Sequence, residues 1–374
     1  MKVAVISRGK PNQQYPLNGI FEFDQAKALA KQGIEVAFIA IDFRARSFKR
    51  KYGLFKYECD GVHVFEFSLP INVYRRALSI LQRLLLIPFR AMLKSFGKPD
   101  VVHAHFYSIA AIATVIKKKY GIPLVVTEHS SKINKPASEI SALDKKVAAK
   151  AYNRCNSLIC VSKALADNIL QTFNHDSSVI PDMVDNQIYS YGGKNKNLSP
   201  FVYVSVGNLV PIKAFDVLIE AFAKADDDAQ LYIIGDGSEK TKIENQITKL
   251  GLEGKVKLFG RLNRLEINEI YQHGHVFVLP SQSETFGVSY VEAMYAGLPV
   301  IATRCGGPES FVDDSNGMLV AVNDVEGLAD AMNAMRANYS AYDPVKISEE
   351  STKKFSPDVI SGEIIEIYNK IKTL

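Results

Sequence analysis

Cysteine is scarce in this chain. Cys59, Cys155, Cys160 and Cys305 form no Cys-x-x-Cys pair and no metal-ligand spacing. That excludes a disulfide scaffold and a zinc ribbon, and reads as reduced thiols in a cytoplasmic protein. No run of about 18 apolar residues occurs, so no membrane-spanning helix is expected. Met1-Lys2-Val3-Ala4-Val5-Ile6-Ser7-Arg8 meets charge too early for a signal peptide and reads as a first strand. Ile234-Gly235-Asp236-Gly237-Ser238 falls short of Gly-x-Gly-x-x-Gly and gives little support to dinucleotide binding.

What is present is a chain of 374 residues with 47% hydrophobic content, enough for two domains with a cleft between them. β-rich runs at 2–7, 34–41, 62–67, 100–103, 123–127 and 158–161 alternate with helical patterns. The alternation begins again at 201–206, 231–234, 255–259, 275–279, 299–302 and 318–320. Such alternation predicts parallel sheets with right-handed crossovers, hence an α/β chain of two doubly wound domains in series. The seam falls at 186–200, where Gly192-Gly193-Lys194-Asn195-Lys196-Asn197 reads as linker, and the domains are taken as 1–190 and 191–355. Residues 339–355 read as irregular, and Ser356-Pro357-Asp358 caps a final helix running to about Ile371.

Charge is unevenly spread. Residues 1–185 carry 27 Lys and Arg against 15 Asp and Glu, and the remainder 18 against 25, so the halves stand at +12 and −7. The first half is therefore expected to face something anionic: a membrane surface, an anionic glycolipid or nucleic acid. Within 71–98, Arg76, Arg83, Arg90 and Lys94 share one helical face, and Pro88 is expected to kink or split the helix. A basic amphipathic helix of this kind can lie on an anionic membrane, with Arg44, Arg46, Lys49, Arg50 and Lys51 adding to the same field. The plainer alternative is a sheet-covering helix with its arginines in water.

The organising stretch is 280–307, P-S-Q-S-E-T-F-G-V-S-Y-V-E-A-M-Y-A-G-L-P-V-I-A-T-R-C-G-G. Glu284 ends a loop, and Glu292 follows eight residues later on the helix that Thr285-Phe286-Gly287 opens. Eight residues of continuous helix rise about 12 Å, roughly the reach of a nucleoside diphosphate sugar from ribose to hexose. Free backbone N–H groups at the helix start suit a phosphate or sugar oxygen. Two glutamates at this spacing are common on amphipathic helices, and by themselves are usually just solvated.

The full string resembles the Glu-x7-Glu signature of retaining glycosyltransferases with the GT-B fold, family four, and matches it at nearly every position. The resemblance implies two Rossmann-like domains about an interdomain cleft, with the final helix packing back on the first. It implies transfer of a sugar from a nucleoside diphosphate sugar, UDP-linked by preference and GDP-linked as the second choice. The acceptor would be a glycan or a lipid-linked molecule, in cell-surface polysaccharide or glycolipid (lipopolysaccharide) biosynthesis. Glu284 and the Phe286-Gly287 amides would orient the sugar and Glu292 would hold ribose. Gly19, in Asn18-Gly19-Ile20-Phe21, resembles the family's glycine loop beside diphosphate and acceptor. His129, in V-V-T-E-H-S-S, resembles the histidine that faces the reacting sugar and phosphate. Gly260 and Arg261 resemble the loop that meets the nucleobase.

Lys213 reads as the start of a helix after a strand, where a cation can meet a diphosphate leaving group. The chain departs from the family beside it: Asn208 stands for the usual arginine and Ala214 for the usual glycine, with Arg304 a candidate replacement cation. On His103-Ala104-His105 only one histidine is expected to face the cleft side. The rivals are a sugar-nucleotide epimerase of the same architecture and, from another class, a non-enzymatic protein that binds anionic surfaces. Nucleic acid is not an expected partner once the second-half string is weighed. The expected location is the cytoplasm, with a peripheral seat on the inner face of a membrane left open by the basic stripe.

No cofactor or metal is expected, because no Asp pair or His/Cys group has credible metal spacing; Asp226-Asp227-Asp228 reads as a solvated helix-to-strand loop. Activity should accordingly survive EDTA. Complete loss, restored by manganese or magnesium, would count against this reading.

Overall fold

A computed structural model of the chain describes residues 1–12, 14–44, 50–71, 77–193, 200–225 and 228–372. It divides into two compact units, Met1–Met183 with Pro357–Leu374, and Val184–Ser356. Most of the linker read at 192–197 and two of the three aspartates at 226–228 lie outside the described residues.

The first unit is built on β1 (Lys2–Ser7), α1 (Ile20–Lys31), β2 (Glu35–Asp42), β3 (Gly53–Cys59), β4 (Val62–Ser68), α2 (Leu78–Ser95) and β5 (Val101–His105). It continues through α3 (Tyr107–Tyr120), β6 (Leu124–Glu128), α4 (Ala142–Tyr152), β7 (Ser157–Cys160), α5 (Lys163–Phe173) and β8 (Ser178–Val179). Among the described residues the sheet order is β3-β4-β2-β1-β5-β6-β7-β8, parallel except for β3 against β4. β5 and β6 are buried along their whole length, as strands covered on both faces must be. The order reverses between β1 and β5, which opens a crevice at their carboxyl ends.

One sequence expectation fails here, and one of the two alternatives for Pro88 is excluded. β3 has no counterpart among the expected strands, because Lys56, Tyr57 and Glu58 are exposed in succession and erase the alternating pattern. The overlooked signal is Asp60-Gly61, whose φ values of 54° and 75° form the tight hairpin turn that Asp-Gly pairs favour. Pro88 does not split α2, which is one helix through it. Leu85, Pro88, Phe89 and Met92 are all buried, and that packing offsets the roughly 3 kcal/mol cost of an interior proline.

The second unit runs β9 (Phe201–Val206), α6 (Phe215–Lys224), β10 (Ala229–Ile234), α7 (Lys240–Lys249), β11 (Val256–Gly260), α8 (Arg264–His273), β12 (Val276–Leu279), α9 (Val288–Tyr295), β13 (Val300–Thr303), β14 (Gly317–Val320), α10 (Val325–Ala337) and α11 (Pro344–Phe355). Its sheet is β11-β10-β9-β12-β13-β14, with parallel pairing throughout the described residues and a reversal between β9 and β12. α11 replaces most of the irregular stretch expected at 339–355. Asp343 accepts from the Val345 and Lys346 amides, and Pro344 takes the first helical position, a start signal the sequence reading passed over.

The chain closes with α12 (Pro357–Lys372), which belongs to the first unit. Ile360, Ile364, Tyr368 and Ile371 enter the core that also holds Val3, Val5, Phe23 and Phe38.

Candidate active site

The second unit brings its functional candidates together at the β9/β12 reversal. After β9 the chain makes a single 3-10 turn, Pro211–Lys213, and α6 begins only at Phe215. Lys213 thus precedes the helix and does not begin it, because Ala214 takes a left-handed φ of 50° between turn and helix. This turn aims Lys213 across to the loop after β12. Its Nζ lies 2.5 Å from Glu284 Oε1, and Ser281 Oγ donates to the same oxygen at 2.7 Å. Glu284 is 8% exposed and Ser281 fully buried.

The backbone around Glu284 is held by neighbours. Its amide donates to the Cys305 carbonyl at 3.3 Å, and the Gly307 amide donates to the Glu284 carbonyl at 3.0 Å. Thr303 Oγ1 donates to the Ser281 carbonyl. A Cβ on Gly307 would fall 2.3 Å from the Phe286 carbonyl oxygen, so a glycine is required where this loop crosses the β13 turn. Phe286 is 1% exposed and packs on Phe311 and Phe355, which makes its ring part of the core. Gly287 precedes α9 with φ 100°, and Thr285 is half-buried. Glu292 is half-buried on α9. Since α9 starts at Val288, Glu284 is not on it, and the eight-residue step from Glu284 to Glu292 is not one helical rise.

The other candidates of this unit ring the same carboxyl ends. Asn208 is exposed just after β9, and Gly260 and exposed Arg261 end β11, with Gly260 at φ 71°. Arg304 is exposed after β13. β12 lies between β13, which Arg304 follows, and β9, which Asn208 follows. The Cys305 thiol is pushed up to about 11 by burial, and is protonated at neutral pH.

In the first unit Gly19 stands before α1 with φ 73°, and a Cβ there would lie 2.2 Å from the Gly9 carbonyl oxygen. His129 follows β6. Its Nε2 is 2.9 Å from His105 Nδ1 and its Nδ1 is 3.0 Å from Asp182 Oδ1. Burial alone would lower the His129 pKa, but the charge and hydrogen bond of Asp182, with Glu22 and Glu128, raise it above the ordinary value. Glu128 is fully buried and accepts from the Tyr107, His129 and Ser130 amides and the Tyr152 hydroxyl. Its carboxylate is a structural anchor for the start of α3. His103 and His105 stack at 4.7 Å. They share one face, contrary to expectation, because residues two apart on a strand point the same way.

The basic stripe is partly as read. Arg83, Arg90 and Lys94 are exposed on α2, while Arg76, Arg46 and Lys49 lie outside the described residues. Arg44 and Arg50 both pair with Asp42, so they are not free charges in a surface field.

Known families match both halves of the chain. Residues 23–187 fit Glycosyltransferase Family 4 and residues 192–354 fit Glycosyl transferases group 1. An uncharacterized glycosyltransferase of Methanocaldococcus jannaschii is 31% identical over 73% of this chain and 76% of its own length. The chain belongs to glycosyltransferase family four, of the GT-B type. Among solved structures, sucrose-phosphate synthase from Thermosynechococcus elongatus superposes with a TM-score of 0.83 at 18% identity, covering 99% of this chain and 98% of that one. Anabaena HepE in complex with UDP and glucose gives 0.76 at 22% identity, covering 99% and 100%. These two share the fold of this glycosyltransferase.

Sequence reasoning singled out Lys213 and Glu284 separately and missed what joins and steadies them. Ser281 was legible as part of the string but had no assigned role. Asp182 carries no sequence signal, since its partner is 53 residues away. Removing the Ser281 hydroxyl should release one hydrogen bond to a charged group, worth about 1.5–3 kcal/mol. Ser281→Ala should therefore lower the melting temperature by several degrees and, with Glu284 less firmly held, lower kcat/KM in the protein still folded. Unaltered kinetics would mean Glu284 is held without it.

Proposed function

We propose that this glycosyltransferase moves a sugar from a nucleoside diphosphate sugar, UDP-linked by preference, to a glycan or lipid-linked acceptor with retention at the anomeric carbon. The observation that carries the reading is the Lys213–Glu284 pair at 2.5 Å, seated at the β9/β12 reversal where doubly wound sheets bind ligands. The complexes of Anabaena HepE with UDP and with UDP-glucose favour the uridine donor.

In this scheme Lys213 trades its carboxylate partner for the diphosphate and stabilises the charge that develops as it leaves. Glu284, with Thr285 and the Phe286 and Gly287 amides, orients the sugar. Glu292 holds ribose, and Gly260 and Arg261 meet the base. Asn208 can donate a hydrogen bond but brings no charge, which concentrates the electrostatic work on Lys213. Gly19 and His129 serve the reaction from the first unit. No metal enters the scheme.

A second proposal concerns the acceptor side. Ile80 and Ile87 are 51% and 46% exposed on α2, and they alternate with exposed Arg83, Arg90 and Lys94 at helical spacing. Apolar and basic side chains on one outward face suit the interface of an anionic membrane. This supports a peripheral seat from which a lipid-linked acceptor can be reached.

The test of the first reading is transfer from labelled sugar nucleotides, with product analysis separating a glycosylated acceptor from an epimerised nucleotide sugar. Lys213→Ala should cost about 2.7–4 kcal/mol of transition-state stabilisation, roughly a hundredfold to thousandfold in kcat. Glu292→Gln should weaken donor binding about tenfold to hundredfold. Unchanged values would remove these assignments. For the membrane, co-sedimentation with anionic vesicles should fall when Arg83 and Arg90 become Gln, by about 1 kcal/mol for each. It should also fade in salt, where the Debye length shrinks to about 3 Å at 1 M. Equal binding to neutral and anionic vesicles would leave the enzyme and dismiss the surface.

A further inference from the structure

A chain of buried polar side chains crosses the carboxyl ends of the first sheet and ends behind His129, and the proposed donor chemistry uses no member of it but that ring. The Tyr368 hydroxyl on α12 lies 2.6 Å from His103 Nδ1, and His103 Nε2 lies 2.7 Å from Thr127 Oγ1. The Gln25 amide nitrogen reaches His103 Nδ1 at 3.2 Å and His105 Nε2 at 3.4 Å. His105 Nδ1 then meets His129 Nε2 at 2.9 Å, and His129 Nδ1 ends the chain on Asp182 at 3.0 Å.

The protons follow from the acceptor at the end. An ionised carboxylate only accepts, so His129 Nδ1 carries its proton in either charge state. Nε2 accepts from His105 when the His129 ring is neutral and donates to it when the ring is charged. Neither nitrogen remains for the proton of an incoming hydroxyl. The groups facing His129 are Asp182 after β8, Glu22 on α1, Glu128 on β6, and His105 and His103 on β5. Arg8 lies over Phe106 at 4.1 Å, and the Phe106 ring centroid is 5.1 Å from that of His129. Burial holds His103 down to about 3 and His105 well below its ordinary value, so both are neutral partners at physiological pH.

We propose that Asp182 and His105 are positioning residues for His129: they occupy both ring nitrogens, so His129 meets the reacting groups as a fixed ring and not as a proton acceptor. The proposal rests on the reading that His129 serves the transfer reaction. It also makes Tyr368, and through it α12, part of the support behind that ring.

The test is a double-mutant cycle with a spectroscopic arm. Asp182→Ala should lower kcat about hundredfold, the loss that misplacing a positioned group by about 1 Å brings, with donor KM within about twofold. Asp182→Asn keeps an oxygen for the Nδ1 proton and should recover most of that loss. Combined with His129→Ala, Asp182→Ala should add nothing further, because it acts through that ring. Long-range 1H–15N spectra of histidine-labelled protein should show His129 Nδ1 protonated across about pH 6 to 8 in the wild type and in Asp182→Asn. That signature needs no turnover, and it decides the matter if Asp182→Ala folds poorly. Losses that multiply in the double mutant, or an unprotonated His129 Nδ1 in the wild type, would overturn the proposal. So would a His129→Ala variant that turns over normally, which leaves the glycosyltransferase reading standing. Inactivity on every donor with the spectral signature intact would sink the transfer reading and keep the clamped ring.

Discussion

Taking an ammonium and a carboxylate out of water costs several kcal/mol for each unless the two neutralise one another and their remaining valences are satisfied. Lys213 and Glu284 meet that condition at the head of the second sheet, and much of the local architecture serves it. The Pro211–Lys213 turn delivers the lysine, while the bridge to Gly306 fixes the backbone of the glutamate. Ser281 supplies a second donor to the same oxygen. A pair built this way is stable only while the site is empty of stronger partners. A diphosphate carries more negative charge than a carboxylate, and a sugar offers hydroxyl donors to the glutamate. Under the proposed function a donor satisfies each member of the pair separately, so the contact that stabilises the free protein also readies it for the donor.

The two units answer one topological problem with different chemistry. Each sheet reverses order once, and each reversal opens a crevice lined by strand ends and helix starts. In the second unit the crevice holds charge. In the first it holds neutral histidines in series, closed by Asp182 at one end and Tyr368 at the other. Burial favours that choice, because an imidazole without a charged neighbour gives up its proton when desolvated. Only His129, beside Asp182 and within the field of Glu22 and Glu128, keeps a raised affinity for one.

Much of this was legible in the sequence where the determinants are local. The buried parallel strands announce themselves as apolar runs, and most expected boundaries fall within a residue or two of those observed. The Glu-x7-Glu string marks the site because its parts follow one another along the chain. What failed has physical reasons. β3 is a half-exposed edge strand with mixed residues, and α11 has only a sparse apolar face, Ile347 and Phe355, among mostly polar residues. Pro88 obeys its tertiary neighbours before its own propensity. The stacking of His103 on His105 was open to simple strand geometry and was misread. Asp182 and Tyr368 belong to another class: their partners lie 53 and 265 residues away, and no local pattern carries such a contact.

Ala214 shows how the chain keeps a left-handed turn without a glycine. Its φ of 50° costs an alanine about 1–2 kcal/mol that a glycine would avoid. The conformation persists because it is fixed from both sides. The Ala214 amide donates to the Pro211 carbonyl at 3.0 Å, and its own carbonyl accepts the Leu218 amide at 3.2 Å as the first bond of α6. The side chain is 1% exposed, so the methyl group contributes burial that glycine could not. Relaxing φ would break the turn that directs Lys213 at Glu284. The strain is thus stored one residue from the cation that the site depends on, where over-determined backbone serves position at the expense of stability. Asn208 works in the same direction: with no arginine beside it, the aim of this one lysine matters more, and the rigid turn behind it supplies that aim.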